Sequence, residues 1–245
     1  MRAIVLAAGK GTRLNSEAAN RPKVLTEILN KSLIDYALEH IDFIPEEDTF
    51  IVVGYKKEMV MDSVKGDYKF VVQEEQLGTG HAVMVTEPYF KDYDGDVLVL
   101  YGDMPLIEKT TYQDMVELHK KSEAACTVLT AFVDNPPAYG RIIRDSEGNL
   151  VNIIETKDCD EEQIKIKEVN VGVYVFDSKL LFKALKGLNN DNKQNEYYLT
   201  DVPKMLINEG LDVQTHTIED INQIYGVNTP EDLKLCEEII KNKNL

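Results

Sequence analysis

The residues best placed to do chemistry come first in the chain. An apolar run, Ala3–Ala8, leads into Leu6-Ala7-Ala8-Gly9-Lys10-Gly11-Thr12-Arg13. A turn of such small residues lets backbone amides approach phosphate oxygens closely, and Lys10, Arg13 and Lys23 lie near enough to neutralise them. A dinucleotide fingerprint would need a third glycine at position 14, where Leu14 stands, and no stretch supplies a Walker loop. Residues 1–33 carry six cations, Arg2, Lys10, Arg13, Arg21, Lys23 and Lys31, against only Glu17 and Glu27. The expected feature is a local pocket for a phosphate-bearing small molecule.

That basic segment stands out because the rest of the chain is acidic. Over 245 residues, 27 Lys and Arg face 43 Asp and Glu, for a net charge of −16. Duplex DNA and anionic membranes are bound mostly by clustered cations, so neither is expected as a partner. Apolar residues at 43% and charged residues at 29% suit a globular protein and argue against general disorder. No apolar run approaches the roughly 20 residues of a membrane helix. The segment Arg2–Ala8 is too short for a signal peptide. Cys126, Cys159 and Cys236 lie far apart with no CxxC pair, which suits neither a zinc site nor a disulfide framework. A reduced, cytoplasmic, soluble protein is expected.

The elements that must position the glycine turn alternate along the chain. Buried-strand runs fall at Ala3–Ala8, Phe50–Gly54, Tyr68–Gln73, Val97–Tyr101 and Cys126–Val133. Helix-period stretches separate them near Leu33–Ile41, Glu58–Lys65, Gly80–Phe90 and Thr111–Lys121. Such alternation predicts βαβ units: an α/β fold, a three-layer α/β/α sandwich on a mostly parallel, Rossmann-like sheet. Ligands of open α/β sheets bind beyond the carboxyl ends of the strands. After residue 134 the rhythm changes. Asn135-Pro136-Pro137 breaks the chain, and Ser146-Glu147-Gly148-Asn149 predicts a hairpin turn between Arg141–Arg144 and Leu150–Ile154. Strands at Val169–Phe176 and Val213–Thr217 follow, with helices near Leu180–Leu185 and Leu199–Glu209 and a last helix from Pro230. One continuous domain, 1–245, is expected, with a second lobe from about residue 126.

Specific motifs narrow the function. Leu6-Ala-Ala-Gly-x-Gly-Thr-Arg13 followed by Pro22-Lys23 resembles the signature of sugar-1-phosphate nucleotidylyltransferases. Gln73, Gln76-Leu77-Gly78-Thr79-Gly80-His81-Ala82 and Tyr101-Gly102-Asp103-Met104-Pro105-Leu106 follow in order. So do Tyr139-Gly140-Arg141-Ile142, Glu155, Glu168-Val169-Asn170, Glu196-Tyr197-Tyr198-Leu199-Thr200-Asp201 and Gly226-Val227-Asn228. Jointly they resemble the uridylyltransferase domains of bifunctional bacterial enzymes that make UDP-N-acetylglucosamine, from residue 3 to about residue 233.

The resemblance implies attack by N-acetyl-α-D-glucosamine 1-phosphate on the α-phosphorus of UTP, with Mg²⁺ and release of pyrophosphate. Arg13 and Lys23 are the implied catalytic cations, on the leaving phosphates and the α-phosphate respectively. Leu6, Ala7, Ala8, Gly9, Gly11, Gln73, Gly78 and Thr79 would bind the nucleotide. Gln73 offers one carbonyl and one amide, which match the donor and acceptor of a uracil edge, although a flipped glutamine would suit another pyrimidine. Tyr101, Gly140, Glu155, Asn170, Tyr197 and Thr200 would bind the sugar. Asp103 and Asn228 would hold Mg²⁺. A carboxylate at a strand's carboxyl end suits an ion that takes few protein ligands, and Thr229, Pro230 and Asp232 read as a helix cap that fixes where Asn228 points. His81 is expected to pack against the sheet. On this reading the nucleotide part spans about 1–125, and the sugar-binding lobe with the C-terminal helices about 126–245.

Three features depart from the family pattern. The segment between Arg13 and Pro22 is about three residues longer than usual. Val171 stands where a threonine usually follows the asparagine, which leaves the exact sugar open. No hexapeptide β-helix periodicity follows, so no acetyl transfer is expected, and a monomer or weak dimer rather than a trimer.

Overall fold

A computed structural model describes residues 1–11, 14 and 21–243. In chain order it contains β1 (Arg2–Ala7), β2 (Glu27–Ile28), β3 (Lys31–Ser32), α1 (Leu33–His40), β4 (Thr49–Val53), α2 (Lys57–Ser63), β5 (Lys69–Val72), α3 (Thr79–Met84), β6 (Asp96–Tyr101) and α4 (Lys109–Ser122). There follow β7 (Cys126–Phe132), β8 (Arg141–Arg144), β9 (Leu150–Ile154), β10 (Glu168–Asp177), α5 (Ser178–Leu185), α6 (Asp201–Asn208), β11 (Val213–Ile218) and α7 (Pro230–Lys243).

The main sheet runs β11-β7-β10-β6-β1-β4-β5, with the β8–β9 hairpin attached to β10. β1 pairs in parallel with β4 and β6, β4 with β5, and β7 with β11. Only β10 opposes its neighbours in that row, lying antiparallel between β6 and β7. The sheet is therefore mixed but mostly parallel, as the alternating pattern predicts.

Alternation along each strand builds two cores. Ala3, Val5 and Ala7 of β1 face one side with Ile51 and Leu98, beneath Ile34, Ala37 and Leu38 of α1 and Tyr112 and Met115 of α4. Ile4 and Leu6 face the other side with Phe50 and Val99, beneath Ala82 and Val83 of α3, Leu181 of α5 and Val202 of α6. Both faces of the central strands are covered, so their sequences read as unbroken apolar runs. A third cluster seats α7 through Cys236 and Ile240 on Ile28, Leu33 and Val227. All three cysteines are free, and no helix among the described residues is long and apolar enough to cross a membrane.

One expectation needs correction. The stretch Gly80–Phe90 is not one helix: α3 ends at Met84, and a separate 3₁₀ turn spans Glu87–Tyr89. Pro88 cannot donate into a continuing α-helix but fits the first turn of a new one, and Thr86 Oγ1 donates back to the Val83 carbonyl at 2.7 Å. The β2–β3 hairpin is a further element, absent from the pattern of apolar runs. Its turn places Leu29 and Asn30 at φ 50° and 65°, a left-handed pair for which Asn-Gly is the usual sequence signal.

Candidate active site: two clefts meeting at Asp103

The strands β1, β5 and β6 are parallel, so their carboxyl ends open on one edge of the sheet. Register brings Leu6 beside Tyr101 and Ala7 beside Val53. The chain leaving β1 stays close to its neighbours, because Gly102 N–H donates to the Leu6 carbonyl at 3.0 Å and Tyr55 N–H to that of Ala8 at 3.2 Å. A cleft of about 320 Å³ opens there. It is lined by Leu6, Ala7, Ala8, Gly9, Gly11, Lys23, Gln73, Gly78 and Thr79, together with Val24, Gln76, Ala82 and Glu196. Every expected nucleotide residue therefore converges on one space. Arg13 lies outside the described residues.

A second cleft, of about 180 Å³, lies between β6, the β8–β9 hairpin and β10. Gly140, Glu155 and Asn170 line it with Tyr139, Val171 and Gly172. Tyr101, Asp103 and Asn228 line both clefts. These three residues mark where the two clefts meet.

That junction is built by local chain geometry. Lys23 opens a 3₁₀ turn, Lys23–Leu25, whose Val24 and Leu25 are buried. The turn anchors the lysine while its ammonium reaches the open end of the sheet. The Lys23 ammonium forms an ion pair with Asp103 and donates at 2.8 Å to Asn228 Oδ1. Val227 N–H donates to the Asp103 carbonyl at 3.0 Å, joining the two acidic-end loops by backbone. Asn228 is aimed by the expected cap: Asn228 N–H and Thr229 N–H both donate to Asp232 Oδ2 at 2.9 Å, and Asp232 N–H donates to Thr229 Oγ1 at 3.1 Å. Two hard oxygens thus converge on one positive charge, a donor set that fits Mg²⁺ completed by substrate and water. Among the described residues no cluster of three or more His, Cys, Asp or Glu offers a competing metal site.

Other expected residues act from behind the lining. Tyr197 serves through its backbone, its N–H donating to the Leu77 carbonyl and its carbonyl accepting from Gly80 N–H, each at 2.8 Å. Gly78 must be glycine for this clamp, since it sits at φ 110° and a Cβ there would lie 2.6 Å from the Tyr197 carbonyl oxygen. Thr200 Oγ1 donates to Glu155 Oε1 at 3.1 Å, so it orients the carboxylate rather than lining the cleft. Asn170 Nδ2 donates to the Tyr174 hydroxyl at 2.6 Å, and its Oδ1 accepts from Gly172 N–H at 3.2 Å. Burial first, then Asp201, Asp158 and Glu196, push the Glu155 carboxyl above the usual carboxylate range despite the Thr200 bond.

Gln73 differs from its sequence reading. Its Nε2 is already engaged, 3.1 Å from both the Gly78 carbonyl and His81 Nδ1. Only its carbonyl oxygen remains to meet a base. His81 faces this amide instead of merely packing. Gln76 and Glu196 also gain a place in the first cleft. The one sequence signal for either is adjacency to Gly78 and Tyr197 within the motifs.

Tyr101 carries the wall between the clefts. Burial raises its phenol above the ordinary value, with Glu155 and Asp103 adding to the shift and Thr79 opposing it. Gly172 makes room for it: at φ 88°, a Cβ on Gly172 would lie 2.5 Å from Tyr101 Cε2. Gly172→Ala should therefore cost about 1–3 kcal/mol through backbone strain and overpacking. The midpoint of denaturant unfolding reads this directly, and a midpoint equal to wild type would show that Tyr101 yields freely.

The fold and its confluent clefts define a class: an α/β protein with a glycine turn at the open end of a mostly parallel sheet and two clefts that meet there. The chain belongs to the nucleotidyl transferase family, whose model matches residues 2–221. It is 41% identical over 241 residues to the bifunctional protein GlmU of Streptococcus gordonii, and 40% identical over the same length to that of Streptococcus suis. Each alignment covers 98% of this chain and 52% of the relative, so the chain spans about half the length of the curated relatives it matches. Two solved structures share the fold. A UDP-glucose pyrophosphorylase complexed with UDP-glucose superposes with a TM-score of 0.78 at 19% identity, covering 99% of this chain and 98% of that one. An apo UDP-glucose pyrophosphorylase gives 0.80 at 18% identity, with both chains fully covered.

Proposed function

We propose that this chain transfers uridylyl from UTP to N-acetyl-α-D-glucosamine 1-phosphate, giving UDP-N-acetylglucosamine and pyrophosphate. The observation that carries the reading is the Lys23–Asp103–Asn228 cluster at the meeting point of two clefts. The motif resemblance supports the choice of nucleotide and sugar, and the identity to the GlmU proteins supports the family.

A phosphate oxygen of the sugar phosphate attacks the α-phosphorus, and the bond from that phosphorus to the bridging oxygen of the β-phosphate breaks. The bridging oxygen leaves with pyrophosphate. The attacking phosphate is already ionised at neutral pH, so the protein supplies no nucleophile and needs no Ser–His–Asp arrangement. Its task is to bring two anions together and hold them in line. The glycine turn, Gly9 to Gly11, meets the triphosphate. Lys23 meets charge developing at the α-phosphate, and Arg13 is assigned to the leaving phosphates. Mg²⁺ held by Asp103 and Asn228 would supply further charge neutralisation and orient the phosphates. Glu155, Asn170 and Gly140 face the sugar, with Thr200 positioning Glu155. The nucleotide half spans about 1–125 and the sugar-binding half about 126–245, sharing one sheet. Three free cysteines suit a reduced cytoplasmic setting.

Glu155 gives a prediction with opposite signs for binding and stability. A carboxyl whose pKa is raised by folding contributes stability that is complete below the ordinary glutamate pKa. That contribution is lost as pH rises through the raised value. At neutral pH the buried charge thus costs stability. Glu155→Gln should raise Tm at pH 7–8, with the gain shrinking toward pH 4, while the KM for the sugar phosphate rises about tenfold through loss of a charged acceptor. A lower Tm at pH 8 with unchanged KM would place Glu155 in a structural role.

Pyrophosphate release measured across four nucleoside triphosphates and several sugar 1-phosphates tests the substrate pair. UTP with N-acetylglucosamine 1-phosphate should give the highest kcat/KM. A higher value with glucose 1-phosphate, or with another nucleotide, would overturn the assignment. Val171, which is buried against the second cleft, would then be the first residue to replace.

A further inference from the structure

Gln73 is almost wholly buried, at 3% exposure, and its backbone is fixed. Its N–H donates to the Val53 carbonyl at 2.8 Å, and its carbonyl accepts from Gln76 Nε2 at 3.0 Å. The side chain keeps one freedom, rotation of the amide by half a turn. The two orientations present opposite chemistry to the first cleft, an acceptor or a donor.

Two neighbours decide the orientation. The Gly78 carbonyl can only accept, so the Gln73 atom 3.1 Å from it is the amide nitrogen. The same nitrogen lies 3.1 Å from His81 Nδ1. With one hydrogen directed at each, both amide hydrogens are used. Nδ1 then has to accept, which places the His81 ring proton on Nε2. The ring is bordered by Tyr197, with centroids 6.4 Å apart, and it sits on α3, whose Ala82 and Val83 are buried in the core.

We propose that His81 is a specificity-determining positioning residue: by accepting from the Gln73 amide it leaves only the Gln73 carbonyl oxygen facing the base. An acceptor there favours a pyrimidine with a ring N–H, as in uracil. It opposes cytosine, whose ring nitrogen at the same edge is a bare acceptor. Without His81 the amide keeps one tether, the Gly78 carbonyl, and its rotation costs one hydrogen bond less. The inference rests on the uridylyl-transfer reading and assigns one source of its base selectivity.

The test compares kcat/KM for UTP and CTP, at saturating N-acetylglucosamine 1-phosphate, in wild type, His81→Ala and His81→Asn. The Asn Oδ1 can accept near the position of Nδ1, whereas alanine offers nothing. The ratio of UTP to CTP should fall about five- to tenfold in His81→Ala, the loss expected of one hydrogen bond. It should be restored in His81→Asn, and the KM for the sugar phosphate should stay at the wild-type value in both. An unchanged ratio in His81→Ala overturns the proposal, as does a loss in His81→Asn equal to that in His81→Ala. A wild-type protein that does not prefer UTP overturns the uridylyl-transfer reading itself, a result the variants are not needed to see.

Discussion

Replacing Lys23 by methionine should lower kcat by about 10²–10³, because a transition-state electrostatic contact is lost where charge accumulates. Methionine keeps much of the aliphatic stem that fills the buried turn at Lys23, so the fold should persist. Asp103 would lose its internal cation, but its side chain is 23% exposed and water can solvate it. Tm should therefore shift by only a few degrees. The same variant should bind divalent metal more tightly when no nucleotide is present. In wild type the Lys23 ammonium already engages Asp103 and Asn228 Oδ1, so a metal ion competes with it for the same oxygens. Titration with Mn²⁺ followed by electron paramagnetic resonance would show this. Wild-type kcat in Lys23→Met would remove the lysine from the reaction, and weaker Mn²⁺ binding would show that Lys23 and the metal do not share those oxygens.

Asp103→Asn should lose a similar factor, about 10²–10³ in kcat, and should need more Mg²⁺ to reach half-maximal rate. The substitution keeps the size and shape of the side chain and removes its negative charge. The backbone bond from Val227 N–H to the Asp103 carbonyl does not depend on the side chain, so the loop should keep its path. Lys23 would still donate to Asn228 but would face an amide in place of a carboxylate. Without metal, nucleotide affinity should hold or improve slightly, since a carboxylate repels a triphosphate. A purely structural aspartate ahead of Pro105 predicts the reverse pattern, a lower Tm with near-normal turnover per folded molecule. Rate against Mg²⁺ concentration, measured beside Tm, separates the two. Normal kcat with an unchanged metal requirement would exclude Asp103 as the ligand.

Much of this arrangement is legible in the sequence because the relevant strands are buried on both faces. Runs such as Val97–Tyr101 are apolar without interruption, and the residues just past them, Gly102-Asp103 among them, fall at the sheet's open end by necessity. The caps are legible for the same local reason: Thr229-Pro230-x-Asp232 contains its own hydrogen-bond partners. The placement of β10 is not legible. An all-buried strand shows no preferred face, and nothing local in Val169–Phe176 says that it inserts antiparallel between β6 and β7, which lie far away in sequence. The sugar side suffers from this, since Asn170, Val171 and Gly172 reach the second cleft through an irregularity between Asn170 and Tyr174 in that strand. The β2–β3 turn is not legible because leucine, here Leu29, rarely adopts positive φ. Gln73 shows a subtler limit. Its residue type permits two hydrogen-bonding faces, and only the positions of Gly78 and His81 choose between them. The role assigned to Arg13 stays with the motif, since that residue lies outside the described ones.

The most direct measurement is phosphorus NMR of the protein with UTP, N-acetylglucosamine 1-phosphate and Mg²⁺. Joining of the two ligands at the Asp103 junction predicts that the resonances of both decline together, replaced by the paired diphosphate signals of UDP-N-acetylglucosamine and one equivalent of pyrophosphate. Conversion of UTP to UMP and pyrophosphate, with the sugar phosphate resonance untouched, would contradict transfer between the two clefts.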